Sequence, residues 1–219
     1  MSFAMVIGGG LSEIGVSLFL LIAFRSAFEY HVNAGIASVP APMSSVFVTI
    51  VAYCRYGEEL HYMYIFGLVI VITGAIVITF YPPETLDGTE ATTTSQTCIV
   101  LGLGFMSAMS LTTQILFAKA LADRGADGRF IGLNFLIVSG FLGTIGLIVL
   151  TCFGQGLFAL GLQGTLLMLL AGITGVVAIG LLQYSISIGI MGVVTAIYNT
   201  NAAWFTLLCF FFLKEALSI

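Results

Sequence analysis

Glu13 is the residue of this 219-residue chain whose type and setting most invite chemistry. It is the only carboxylate inside an apolar run, with Gly9 four residues before it and Ser17 four after, so that one helix face is small and polar. A carboxyl at membrane depth is costly, and such groups commonly serve ion or substrate pathways. Two readings stand level. Glu13 is a protonatable group for proton coupling or a contact for a cationic substrate, or it is a neutral buried acid that bonds a neighbouring helix. The other candidates carry amides, hydroxyls and aromatic donors. Ser107, Ser110 and Gln114 follow an i, i+3, i+7 spacing that shares one helix face, where bonds between helices are the first reading. Gln183 and Ser187 lie one turn apart beside Tyr184, and cavity lining weighs the same as packing. Thr195, Asn199 and Thr206 share a face, with Asn201 nearly opposite Asn199; a local break would let both asparagines serve. Tyr198 and Trp204 each join an apolar body to one donor. The candidate substrate-binding set is therefore Glu13, Gln114, Gln183, Tyr184, Tyr198, Asn199, Asn201 and Trp204.

No catalytic set stands beside these residues. There is no GxGD, no HExxH and no Ser/His pair at membrane depth, so the chain is not expected to be an enzyme. Cys54, Cys98, Cys152 and Cys209 lack CxxC or His-paired spacing, and no metal or other cofactor is expected.

The elements that position these residues follow from composition. Apolar residues make up 59% of the chain and charged ones 7%, with a mean hydropathy of +1.15. An ordinary soluble domain carries about a quarter charged residues, so the bilayer is the solvent here. Runs of about 20 apolar residues select helices over barrel strands. Seven spans are expected, at 3–24, 34–56, 62–81, 98–119, 130–152, 164–187 and 190–213. Pro40 and Pro42 should kink or fray the second. Gly8, Gly9 and Gly10 should let the first approach its neighbours closely, and Gly140 and Thr144 form a small-xxx-small face on the fifth. Segment 25–33 reads as a short polar link, 120–129 as a charged turn, and 82–97 as a flexible acidic link between halves. Arg55, Lys119, Arg124 and Arg129 fall on one side of such a topology and Arg25 and Lys214 on the other. This sets the N-terminus in the cytosol and the 82–97 link outside. No basic patch suggests nucleic acid. The partners implied are the lipid bilayer and a small solute, with proton coupling and a homodimer among the arrangements allowed.

The chain also contains a repeat. Shifted by 157 positions, Gly192 to Leu217 lies without a gap on Gly35 to Leu60. Gly192 meets Gly35, Thr206 meets Thr49, Glu215 meets Glu58 and Leu217 meets Leu60. With five helices between them the copies run in opposite senses across the membrane. Inverted repeats of this kind build secondary transporters with the solute site near the midplane. Glu58 and Glu215 stand at helix C-terminal ends, where a negative charge opposes the dipole, so each should have a partner such as Arg55 or Lys214.

GEEL at 57–60 followed by YMYIFGLVIVITGAIVI resembles the signature of the EamA-type drug/metabolite transporter superfamily, in which a helix-ending glutamate precedes a glycine-containing helix. Here these are Glu58, Gly67 and Gly74. FFLKEALS at 211–218 and GLLQYSISIGIMGVVTAIY at 180–198 resemble the corresponding parts of the second half. Lys214 departs from Gly57 of the first copy. The resemblance implies an all-α polytopic fold of ten helices in two inverted five-helix repeats, and transport of small solutes by alternating access. On it, 1–81 is the first half with three helices, 82–97 the linker and 98–219 the second half with four. Family helices one, two and ten have no counterpart. The chain then reads as part of a longer one, expected to insert but to need the remaining helices for transport. The rival from another class is a non-transporting membrane scaffold whose polar residues only bond helices together.

Overall fold

The computed structural model describes residues 3–30, 37, 40–59, 62, 65–67, 69–70, 73, 94–152 and 161–199. All regular structure among them is helical. The helices with described bounds are α1 (Phe3–Glu29), α2 (Met43–Tyr56), α3 (Thr94–Ala122), α4 (Gly128–Cys152), α5 (Gly161–Ile188) and α6 (Met191–Asn199). Three stretches among the described residues, Phe3–Glu29, Ser95–Ala122 and Gly128–Gly146, are long and apolar enough to cross a membrane. Large apolar side chains stand exposed along all three, among them Leu21, Phe105, Leu133 and Phe141. Extended exposed apolar surface of this kind points to a membrane protein.

Several element boundaries differ from those the sequence suggests. Residues 25–29 are not a link: α1 continues to Glu29. Ala23 and Ala27 are fully buried on one side of this last stretch, and on the other Arg25 Nε donates to Glu29 Oε1 one turn on, at 2.7 Å. Good helix formers, a packed face and an i,i+4 ion pair outweigh the polarity that suggested a link. The second span does not run as one helix from residue 34. It begins at Met43, with Pro42 as N-cap. Pro40 to Pro42 form a turn whose carbonyls accept the backbone N–H groups of Met43, Ser44 and Ser45 at 2.9–3.1 Å. The hydroxyls of Ser44 and Ser45 donate to Ala41 and Pro42 carbonyls at 2.8 and 2.6 Å, so these two buried hydroxyls are satisfied locally. Proline is tolerated in a first turn and nowhere deeper, which is why the helix starts where the prolines end. At 14 residues, α2 is about 21 Å long, short of a full span. The charged turn contracts to residues 123–127, with Gly125 at φ 83°. The third span is helical at Tyr62, 65–67, 69–70 and 73; its remainder, the 82–93 part of the acidic link and 200–213 of the seventh span lie outside the described residues.

The chain divides into two compact units. Unit 1 comprises Met1–Ile14 and Thr113–Gly189; unit 2 comprises Gly15–Thr112 and Ile190–Ile219. In unit 1, α4 packs along α5, and the first turns of α1 seat on α3 and α4. The glycine triplet makes that seat. A Cβ on Gly8 would stand 2.8 Å from the Phe117 ring, and one on Gly9 or Gly10 would collide with Phe135 or Val138. In unit 2, Ala23, Ala27, Ala37 and Val100 form a small-residue core flanked by Phe24, Tyr30, Leu101 and Leu103, and α2 packs against α6.

Candidate functional site

Glu13 lies ten residues into α1, about 15 Å from its start, or half the thickness of a hydrocarbon core of about 30 Å. It is 7% exposed. On α3, Gln114 is 2% exposed, and its amide nitrogen donates to Glu13 Oε2. The two candidates therefore come together as one buried pair within unit 1. Their approach is set by the glycines one turn earlier. With no side chain at Gly9, the Phe135 ring of α4 rests against the α1 backbone and α1 is drawn into the unit. Among the side chains that meet this part of α1 are Phe117 and Gln114 of α3 and Phe135 and Val138 of α4. A carboxyl and a carboxamide in an otherwise apolar setting can pass a proton, or exchange the Gln114 hydrogen bond for one to a solute. Neither group is a nucleophile set for covalent chemistry.

The polar face of α3 anticipated from spacing is also used in unit 2. Ser107, buried, donates to the Val16 carbonyl of α1 at 3.0 Å, and Ser110 leans on Gly15 while donating to its own Met106 carbonyl at 3.0 Å. These hydroxyls tie helices together.

Gln183 on α5 is fully buried in unit 1, and neither its amide nitrogen nor its oxygen has a hydrogen-bond partner among the described residues. It lies on the seam with α4. A Cβ on Gly132 would stand 3.3 Å from Gln183 Cβ and 3.5 Å from Gly180 Cα, and a Cβ on Gly128 would collide with Ser187. Gly128 and Gly132 thus let two backbones close on one another, the packing that small-xxx-small patterns serve. Tyr184 is half-buried beside Gln183, with the Arg129 guanidinium 5.5 Å above its ring centre, a cation–π contact at the start of α4. Asp127 caps that start by accepting the Arg129 N–H at 2.9 Å.

The remaining candidates separate from these. Tyr198 is half-buried on α6 in unit 2. Asn199 is the last residue of α6, and Asn201 and Trp204 lie outside the described residues. Thr195 is buried with its hydroxyl donating to the Met191 carbonyl at 2.8 Å.

One relationship escaped the reading of residue types. Glu58 Oε1 accepts the backbone N–H of Met191 at 3.2 Å, so the carboxylate sits at the positive N-terminal end of α6. Gly57, at φ 65°, ends α2 in the left-handed conformation that lets the chain swing Glu58 there. The charge that opposes the dipole at one helix end favours it at another. The sequence signal was the recurrence of the glutamate, which called for a partner but did not say that a main-chain donor could be one. Glu58 and Glu59, with Thr49, Ala52, Ile190, Gly192 and Val193, border a cavity of about 10 Å³, room for roughly one water.

No protein-family model, curated protein or solved structure matches this chain.

Proposed function

We propose that this chain is a multi-pass membrane transporter of small solutes, working by alternating access, with Glu13 as the group that couples solute movement to protons. The observation that carries this reading is the Glu13–Gln114 pair, a buried carboxyl bonded to an amide, ten residues into a 27-residue apolar helix. Groups of this kind are retained at depth against a substantial solvation cost, and proton and solute pathways are their commonest use. The finer architecture, seven spans from an inverted repeat of drug/metabolite transporter type, belongs to the same proposal. It draws support from unit 2, where α2, from the later part of the first copy, packs against α6, the start of the second.

The test is proton-driven solute flux. The complete gene product is reconstituted in liposomes loaded with a pH-sensitive dye and challenged with a solute panel under an imposed pH gradient. Solute-dependent proton movement is expected, and Glu13→Gln should abolish it or flatten its pH dependence while leaving insertion intact. An unchanged pH profile in Glu13→Gln would make the carboxyl structural. Absence of any flux would favour the scaffold reading, to which the Ser107–Val16 bond already lends weight as plain helix glue.

A further inference from the structure

We infer that Gln183 is the group through which the α4–α5 seam takes an uncharged solute bearing a hydrogen-bond donor and acceptor side by side, the edge of an amide or imide. The inference rests on the transporter reading for its purpose and on the seam for its chemistry.

The Gln183 side chain is fully buried, yet both of its polar atoms lack partners among the described residues. A buried amide in that condition costs stability, and more so where surrounding lipid excludes water. Sequence supplies the reason the seam cannot satisfy it. Opposite Gln183 stands Gly132, and one turn before it on α5 stands Gly180, so these two positions contribute close backbone and no polar side chain. The Ser187 hydroxyl, one turn on, already donates to the Tyr184 carbonyl at 2.6 Å. None of the described residues therefore answers it, and a solute entering the seam would.

The shape of the orphan names the partner's class. A carboxamide offers an acceptor oxygen and donor hydrogens from adjacent positions in one plane. Its complement is a planar group with a donor next to an acceptor. Charge narrows the class further. The buried polar side chains described in unit 1 are Glu13, Gln114 and Gln183, with no cation among them, and the Arg129 guanidinium at the start of α4 is already engaged over the Tyr184 ring, so the buried part of the seam favours an uncharged solute. Position supplies a route. Gly132 is one turn, about 6 Å, inside the start of α4, so only the end of the seam must part to admit a small planar group. At that end Gly128 lies against Ser187, and the exposed Arg129 guanidinium stands over the half-buried Tyr184 ring.

The experiment uses the full 219-residue chain in detergent micelles, with uracil as the donor–acceptor probe and 1,3-dimethyluracil, which keeps the ring and carbonyls but loses both N–H donors, as its control. Uracil at millimolar concentration should raise the apparent Tm by a few degrees and the dimethyl form should not, since only a ligand that binds the folded state shifts the midpoint. Gln183→Leu, or Gln183→Met should leucine not fold, removes the orphan amide. It should melt above the parent without ligand and no longer respond to uracil. An equal response to both probes, an unchanged response in the variants, or no response of the parent to uracil would each overturn the assignment. If the complete gene product meanwhile shows solute-driven proton flux that Glu13→Gln removes, the transporter reading survives that failure. If it shows none while uracil binding depends on Gln183, the seam is a binding site and the transport reading fails alone.

Discussion

Gly192, the second residue of α6, lies against Thr49 of α2: a Cβ on the glycine would stand 3.0 Å from Thr49 Oγ1 and 3.7 Å from Thr49 Cβ. These are two of the positions that recur in the chain, Gly192 matching Gly35 and Thr49 matching Thr206. A glycine from one copy therefore seats the threonine of the other. The Cβ separation suits a disulfide, whose Cβ atoms sit about 3.8 Å apart. Gly192→Cys with Thr49→Cys, in a background freed of native cysteines, is expected to cross-link on mild oxidation. If the copies are related by a two-fold axis, as the repeat proposes, the contact has a mate, because such an axis makes i meet j wherever j meets i. Gly35 and Thr206 lie outside the described residues, and Gly35→Cys with Thr206→Cys is the direct test. Cross-linking of the first pair without the second would remove the inverted repeat.

The Glu58 carboxylate at the start of α6 should behave as a helix cap. Glu58→Ala is expected to cost roughly 1 kcal/mol, the usual worth of such an acceptor, and Glu58→Gln, which keeps an acceptor oxygen, clearly less. Chemical denaturation in mixed micelles measures both. Equal losses would assign the effect to charge and not to the hydrogen bond.

The seat of α1 on α4 depends on the missing side chain at Gly9. Gly9→Val drives two methyl groups toward the Phe135 ring and should destabilise by about 1–3 kcal/mol, the usual range for overpacking. Phe135→Ala made in the same chain vacates the space and should recover part of the loss. A coupling energy near zero in this double-mutant cycle would mean that the two residues do not share a contact.

Orientation can be read with glycosylation acceptors. One engineered within 87–92 should be modified in microsomes and one within 123–128 should not, because Arg124 lies in the second with Lys119 and Arg129 on either side of it, and no basic residue lies in the first. The 87–92 segment lies outside the described residues, and 123–127 forms the turn between α3 and α4. The reverse pattern would invert the topology.

The helical class, the apolar exterior and the rough span positions were legible because they depend on local properties, hydropathy run by run and the backbone's need to bond itself where water is absent. Glu13 stood out for the same reason, as the one carboxyl inside an apolar run. Proline positions told where α2 would be disturbed, because a ring without a donor acts within one turn of itself. Partners were another matter. Spacing placed Gln114 on a face with Ser107 and Ser110, but only the packing of α1 against α3 set that face on Glu13. Glu58 read as a charge at the wrong end of its own helix, and became a charge at the right end of another once α2 and α6 met. Gln183 read equally as lining or packing. Its lack of partners among the described residues shows only in the packed seam, where Gly132 and Gly180 bring backbone close to it and no polar side chain. Residue type and period determine what a segment is and which way its faces turn. Which face meets which, and so which polar atom is satisfied and which is left open, depends on contacts between residues as far apart as 101 and 133 positions along the chain, and local sequence carries no term for them.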